Sequence, residues 1–143
     1  MQPKSRILTA FVLMTLALSL YLGCGGDNKN PAAPQAPTPP SFTISSVNVD
    51  LADGSAGIQF FGKSSKDVSL IKVNIANPIG GEITFNAGGD VFLKDEVIAL
   101  QDANTGYFRV SGSWTFKFIG NLEPSKDSFE VTQSLNVSAS SQL

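Results

Sequence analysis

The stretch "GSWTFKFIGNLEPSKDSFEVTQSLNV", residues 112–137, decides the fold. Hydrophobic side chains alternate with polar ones in both of its halves: Trp114, Phe116 and Phe118, then Phe129, Val131, Leu135 and Val137, with Gln133 the one polar residue in this series. Alternation of this kind predicts strands with one buried face and one solvated face. Gly, Asn, Pro and Ser between the halves predict a turn, so the stretch indicates a long β-hairpin.

The same alternation begins at Phe42 and recurs along the chain. The side chains that we expect to face inward are Phe42, Ile44, Val47, Val49, Leu51, Ile58, Phe60, Ile71, Val73, Ile75, Ile83, Phe85, Val91, Leu93, Val97, Ala99, Phe108 and Val110. Between Ile44 and Val47 the alternation slips by one residue. Such a slip predicts a β-bulge or a strand that changes sheets.

Turn-forming residues interrupt this pattern about every ten residues. The interruptions are "LADGSAG", "GKSSKD", "NPIGG", "NAGGD", "DANTG" and "GNLEPSKD". Seven to nine short antiparallel strands in about 100 residues predict a single all-β sandwich over residues 42–143, and no segment has a helical pattern.

Residues 112–137 also carry a resemblance to a known family. An aromatic-rich strand, a Gly-Asn turn and a long last strand resemble the final hairpin of the immunoglobulin-like and fibronectin III-like sandwiches of bacterial envelope proteins. Antibody domains have a pair of Cys around a buried Trp, whereas this chain has one Cys. We therefore expect a core held by packing, with Trp114 inside it rather than serving as a ligand platform.

The composition limits the chemistry that the chain can perform. It has 143 residues, a net charge of −2, no histidine and one cysteine. Without histidine there is no Ser-His or Cys-His nucleophile pair, and one cysteine cannot form an internal disulfide or a cysteine-rich metal site. The acidic balance argues against a nucleic-acid partner, which would require a basic face. We expect a protein that is not an enzyme.

The N-terminus has the layout of a secretory signal peptide. Lys4 and Arg6 precede "ILTAFVLMTLALSLYLG", residues 7–23, which carry no charge. As a helix this segment would be about 25 Å long. A bilayer core is about 30 Å thick, so a signal peptide is favoured over a stable membrane span.

The apolar segment ends in "LYLGC", which resembles the lipobox of bacterial lipoproteins. The resemblance implies cleavage after Gly23, a diacylglyceryl thioether on Cys24 and an acylated new N-terminus. The family usually has Leu three positions before the Cys and a small residue two before it, where this chain has Tyr21 and Leu22. An uncleaved transmembrane anchor, and an ordinary signal peptide cut elsewhere, remain alternatives.

Residues 25–41, "GGDNKNPAAPQAPTPPS", contain five prolines and no large apolar residue. Such a segment cannot bury a core and is expected to be a flexible spacer, which in a polyproline II conformation could reach about 50 Å. The chain thus divides into a signal peptide (1–23), a lipidated Cys with its linker (24–41) and a sandwich domain (42–143). Gly25, rather than Asp, after the Cys points to the outer membrane, by the sorting pattern of enteric-type lipoproteins.

The remaining candidates for chemistry are acidic. Weak candidates for Ca²⁺ ligands are Asp50, Asp53, Asp90, Asp95 and Glu96, whose alternative role is ordinary surface charge. Our leading hypothesis is a lipid-anchored envelope protein whose domain serves adhesion, assembly or scaffolding, with a protein or polysaccharide partner. The alternative is a small carbohydrate- or Ca²⁺-binding module, which exposed aromatic side chains on one face would favour. A fragment or cap of a larger surface assembly is a third possibility.

Overall fold

The computed structural model describes residues 34–139. These residues form eight β-strands and no helix: β1 (Phe42–Asp50), β2 (Ala56–Ser64), β3 (Val68–Ala76), β4 (Glu82–Phe92), β5 (Ile98–Ala99), β6 (Tyr107–Phe108), β7 (Gly112–Leu122) and β8 (Ser128–Val137). The predicted helical signal peptide and most of the predicted linker lie outside the described residues.

The strands form two antiparallel sheets. In the first sheet β2 pairs with β1 on one side and with both β5 and β6 on the other. In the second sheet the order is β4-β3-β7-β8. The all-β sandwich with seven to nine strands that the sequence predicts is confirmed for residues 34–139.

Aromatic rings from the two sheets meet in the core. Phe60 of β2 lies with its ring centroid 4.8 Å from that of Trp114 and 4.9 Å from that of Phe116, both on β7. Phe42 of β1 stacks on Phe118 with the centroids 3.9 Å apart. The two pairs formed by Phe60 lie in the range of about 4.5–7 Å, where an aromatic pair adds about 0.5–1.5 kcal/mol to the free energy gained by burying the rings.

Trp114 is a core residue, as predicted, with 1% of its surface exposed. Its indole Nε1 donates a hydrogen bond of 2.8 Å to the carbonyl oxygen of Val110. The single polar atom of the side chain is therefore satisfied, and the ring can be buried without leaving an unpaired donor.

Two hairpin turns are built alike. Residues 51–55 and 77–81 each close with a hydrogen bond from the first N–H to the last carbonyl, and each has a glycine of positive φ at its fourth position, Gly54 (80°) and Gly80 (95°). This is the three-residue hairpin loop in which a type I turn is followed by a left-handed residue, so glycine is favoured at that position.

The bulge predicted in the first strand is wrong. β1 pairs with β2 in unbroken register from Phe42–Ser64 to Asp50–Ala56. The apparent slip arises because Val47, Val49 and Leu51 lie on the outer face, where Val47 is 54% exposed. Val49 and Leu51 lie there over Gly57, whose missing side chain leaves room for them.

The register shift lies instead in the second sheet, at Ile71. Along β3, Leu70 pairs with Gly120 and Lys72 with Ile119, so Ile71 has no partner on β7. On the other side the three residues 87–89, Ala-Gly-Gly, stand opposite Ile71. "NAGGD" is thus a bulge within β4 rather than a break between strands, and Ile71 is 45% exposed rather than inward.

Several of the inward positions predicted between residues 91 and 108 are wrong. Val91, Leu93, Val97 and Ala99 are exposed, whereas Ile98 and Leu100 are buried. Phe108 is 65% exposed, and its neighbour Tyr107 packs against the core instead. Ile83 is also partly exposed, because it stands on the edge strand β4.

The loops gather at two ends of the sandwich. The Ser41 end, where β1 begins, holds residues 65–67, 93–97 and 123–127, joined by hydrogen bonds from Asp95 N to Ser64 O and from Glu123 N to Asp67 O. The Asp53 end holds the hairpin turns 51–55 and 77–81. The longest irregular loop, residues 100–106, leaves the first sheet beside Phe60 and returns beside Ile58, so it lies along the side of the sandwich.

Gly120 provides a test of the bulge. A Cβ at this position would overlap the carbonyl oxygen of Ser69, and that oxygen belongs to the backbone and cannot easily move. We expect Gly120→Ala to lower the free energy of unfolding by about 1–3 kcal/mol, measured by urea denaturation.

Gly62→Ala is the matched control, because a Cβ there would meet the ring of Phe118 at an ordinary 3.5 Å. We expect no loss of stability from it. Equal losses from the two variants would contradict the close approach of Gly120 to the carbonyl oxygen of Ser69.

Candidate functional site

The predicted lipidation site, Cys24, and the predicted cleavage position after Gly23 lie outside the described residues, as do Tyr21 and Leu22. The structure does describe how the chain reaches the domain. Ser41 N donates to Ser65 Oγ, and Ser65 N donates to Ser41 O, both at 2.9 Å. Pro40 is already buried, so the last spacer residues are held against the domain before β1 begins.

The acidic residues proposed as Ca²⁺ ligands are separated by the length of the sandwich. Asp50 and Asp53 stand at the Asp53 end, whereas Asp95 and Glu96 stand at the Ser41 end. A nine-residue strand between these ends spans about 30 Å. Asp90 lies in β4 opposite Leu70, beside the bulge. These five residues therefore do not converge on one site.

One acid at each end accepts local hydrogen bonds. Asp53 Oδ1 accepts from Ser55 N at 2.9 Å and from Ser55 Oγ at 2.5 Å, and these bonds hold the pKa of Asp53 below its usual range. Glu96 Oε2 accepts from Leu93 N at 2.8 Å. Within residues 34–139, no group of three or more His, Cys, Asp or Glu is placed to hold a metal ion.

A cleft of about 210 Å³ lies between β4 and the loop 100–106. Its walls are Ile83, Thr84, Phe85 and Asn86 on one side and Gln101, Asp102, Thr105 and Tyr107 on the other. Hydroxyl and amide groups dominate its polar surface, with the carboxylate of Asp102 beside them. Such a cleft offers hydrogen bonds to a polar ligand or to an extended peptide.

Tyr107 lines this cleft. Its hydroxyl donates a hydrogen bond to the carbonyl oxygen of Leu100, and its ring lies 5.9 Å from that of Phe60. Burial, and secondarily the negative charge of Asp102, raise the pKa of Tyr107 to about 12. At neutral pH this residue is therefore a hydrogen-bond donor fixed in the core and not a proton acceptor.

The side chain of Gln101 accepts a hydrogen bond from the edge of β2 in the gap between β5 and β6. Between the short pairings of β5 and β6, Phe60 N donates to Gln101 Oε1 at 2.9 Å, and Leu100 N donates to Phe60 O at 3.0 Å. The buried amide thus replaces a backbone carbonyl for β2. This role could not be predicted from the sequence, because a single glutamine beside the "DANTG" turn gives no signal of burial.

A second, larger cleft of about 430 Å³ lies on the outer face of the first sheet. It is lined by Val49, Asp50, Leu51, Ala52, Gln59, Asn104, Thr105 and Gly106. Phe108 is on the same face, opposite Gly57 in the register of β6 and β2. The larger cleft therefore reaches the Asp53 end, and the smaller one lies on the side of the sandwich, in the half nearer that end.

Comparisons with known proteins add no assignment. No family model matches the chain, and neither a curated protein nor a solved structure is detectably similar to it. Residues 34–139 contain no helix of the length and hydropathy that crossing a bilayer requires.

The pKa of Tyr107 predicts a loss of stability at alkaline pH. Between about pH 10 and 12 the unfolded chain loses the phenolic proton while the folded chain keeps it, so the free energy of unfolding falls as the pH rises. From Cys24 onward Tyr107 is the one tyrosine, so phenolate absorbance of that segment reports it alone. We expect half-ionisation near pH 12 when the protein is folded and near pH 10 in concentrated urea. Half-ionisation of the folded protein near pH 10 would show a solvated ring.

Gln101 gives a second test. Gln101→Ala leaves the buried Phe60 N–H without its acceptor, and we expect the free energy of unfolding to fall by about 1–3 kcal/mol. Gln59→Ala serves as the control: its Nε2 donates to Thr105 O at an exposed site, and we expect a change within about 0.5 kcal/mol. Similar effects in urea denaturation would contradict the strand-completing role of Gln101.

Proposed function

We propose that the protein is a lipid-anchored protein of the bacterial cell envelope, held in the outer membrane through Cys24. Its sandwich domain serves adhesion, assembly or scaffolding without catalysing a reaction. The anchor follows from the charge-free segment that ends in Gly23-Cys24, the spacer that follows it, and Gly25 in place of Asp. Two or three acyl chains would hold the protein on the membrane durably, since each buried CH₂ contributes about 0.8 kcal/mol.

The observation that carries this proposal is the position of the clefts relative to the point where the chain enters the domain. The chain joins the sandwich at Ser41, whereas the larger cleft reaches the opposite, Asp53 end and the smaller cleft lies in the half nearer that end. A tether attached at the Ser41 end presents the Asp53 end away from the bilayer. The spacer could lift it by up to about 50 Å, which suits binding of a partner outside the membrane surface.

The arrangement of the acids supports a role in binding rather than catalysis. Glycoside hydrolysis, for example, needs two carboxylates about 5–10 Å apart across a substrate. Candidate acids at opposite ends of the sandwich are far more widely separated, and within each end one carboxylate is held by a local hydrogen bond, Asp53 by Ser55 and Glu96 by Leu93 N.

We further propose that the domain is of the immunoglobulin-like or fibronectin III-like kind. Such sandwiches place strands A, B and E in one sheet and C, F and G in the other. Here β1-β2-β5 take the places of A-B-E, and β3-β7-β8 those of C-F-G, with β4 beside β3. The strand order supports the resemblance that residues 112–137 suggested.

A carbohydrate-binding module is the second candidate, and one observation favours it. Phe108 is 65% exposed on the outer face of the first sheet, the face that carries the larger cleft. A sugar ring could stack on it, and Phe108→Ala should then abolish retention on cell-wall polysaccharide. Trp114 and most of the phenylalanines are wholly or partly buried, which favours the first candidate.

Replacement of Cys24 tests the anchor. We expect Cys24→Ser to move the protein from the membrane fraction to the soluble fraction, because no other side chain here can take the lipid as a thioether. Leu22→Ala is the matched control. It places a small residue where the lipobox usually has one, so membrane retention should persist.

Mass spectrometry of the mature N-terminus separates the alternatives. A lipidated Cys24 at position one of the mature chain is the expected result. An uncut N-terminus with tight retention would indicate a transmembrane anchor instead. A free N-terminus elsewhere, in a soluble protein, would indicate ordinary secretion.

A further inference from the structure

The outer edge of β8 differs from the other sheet edges of the domain. β8 has ten residues in unbroken register with β7, from Ser128–Asn121 to Val137–Gly112. Within residues 34–139, no strand pairs with its other side. A long, straight edge of this kind is a template for another strand.

The remaining edges carry features that hinder pairing. β4 is interrupted by the bulge at residues 87–89, and β5 and β6 have two residues each. In β1 the residues on the inner face become polar along the strand and end in the charged Asp50. Bulges, short strands and inward polar groups are the devices that protect sheet edges.

The backbone groups of β8 alternate in direction. Leu122 N donates to Asp127 O at 2.8 Å, so this pair is hydrogen-bonded across the hairpin. Hydrogen-bonded and non-hydrogen-bonded pairs alternate along antiparallel strands. Four residues of β8 therefore stand in non-hydrogen-bonded pairs with β7: Glu130, Thr132, Ser134 and Asn136. Their N–H and C=O groups point away from β7 and can accept a further strand.

Charge does not protect this edge. Glu130 is the one charged residue of β8, and its carboxylate lies 2.7 Å from Lys117 Nζ of the neighbouring strand. The pair leaves no net charge along β8. Repulsion between two copies of the strand is therefore weak.

The side chains of β8 complement a second, antiparallel copy of the same strand. With Gln133 opposite Gln133 on a two-fold axis, Val131 faces Leu135, and Phe129 faces Val137. On the outer face Thr132 faces Ser134, and Glu130 faces Asn136. This register places Thr132 and Ser134, whose backbone groups point outward, as a hydrogen-bonded pair, so backbone and side-chain patterns agree.

We propose that two copies of this chain pair through β8 around Gln133, joining their second sheets into one continuous eight-stranded sheet. This gives a self-complementary, closed interface of the kind that two-fold symmetry requires. The inference rests on the proposed function, in which the domain acts in assembly. It names the partner as a second copy rather than the proline-rich spacer, whose prolines lack the N–H groups that strand addition needs.

Cysteine cross-linking of the full chain in membranes tests the register. In the proposed dimer the two residues at position 133 form a non-hydrogen-bonded pair with Cα atoms about 4.5 Å apart, within reach of a disulfide. We expect Gln133→Cys to double the apparent mass on a non-reducing gel after mild oxidation. The wild-type chain, run in parallel, reports any contribution of Cys24.

Glu130→Cys is the matched control on the same strand. Its two copies would lie six residues apart along the pairing, about 20 Å, and should not cross-link. Equal cross-linking at positions 130 and 133 would indicate random collision and overturn the proposal. No cross-linking at 133, or capture of a different protein there, would also overturn it.

Ser134→Pro, added to Gln133→Cys, tests the backbone bonds. The N–H of Ser134 points outward, so proline removes a bond to the second copy but none to β7. We expect loss of the cross-link, with unchanged circular dichroism showing that the domain remains folded; persistence of the cross-link would overturn the proposal. The same membranes report retention through Cys24, so failure of the pairing can be told apart from failure of the anchor.

Discussion

The contact of Phe60 with Trp114 and Phe116 joins the two sheets, and the rest of the structure depends on it. The chain has one cysteine and cannot link the sheets covalently within itself. Burial of large aromatic side chains must therefore supply the stability that a disulfide provides in antibody domains. Three polar side chains beside this cluster, those of Tyr107, Trp114 and Gln101, each form a hydrogen bond with a backbone group, which offsets the cost of burying them.

The bulge at Ile71 is the second constraint, and it connects local chemistry to the shape of an edge. The extra residue on β3 allows Gly120 to approach the backbone of Ser69, and it is matched by the glycine-rich segment of β4. That segment distorts the β4 edge, whereas β8, on the other side of the same sheet, remains straight. The two edges of one sheet are thus suited to different tasks, one closed to pairing and the other open.

The longer strands could be predicted from the sequence because their periodicity is strong. Trp114, Phe116 and Phe118 repeat every second residue over a segment long enough to fix the phase, and they are buried as expected. β5 and β6 have two residues each, too few to fix a phase, so Ile98 and Tyr107 could not be distinguished from their neighbours. The inward positions predicted for Val49 and Leu51 are wrong, because hydrophobic side chains can also cover a glycine on an outer face. The burial of Gln101 depends on a partner 41 residues away, which no local pattern reveals.

The attachment of the chain at Ser41 has a mechanical consequence. If the spacer pulls at the Ser41 end while a partner holds the Asp53 end, the force acts along β1. All the hydrogen bonds in its unbroken nine-residue register with β2 would then be loaded together, in shear. A hairpin pulled from its open end breaks one bond at a time, whereas a strand loaded in shear yields only when many bonds fail at once. Under the proposed anchoring, the direction in which the chain enters would therefore make the domain resistant to tension between the membrane and a bound partner.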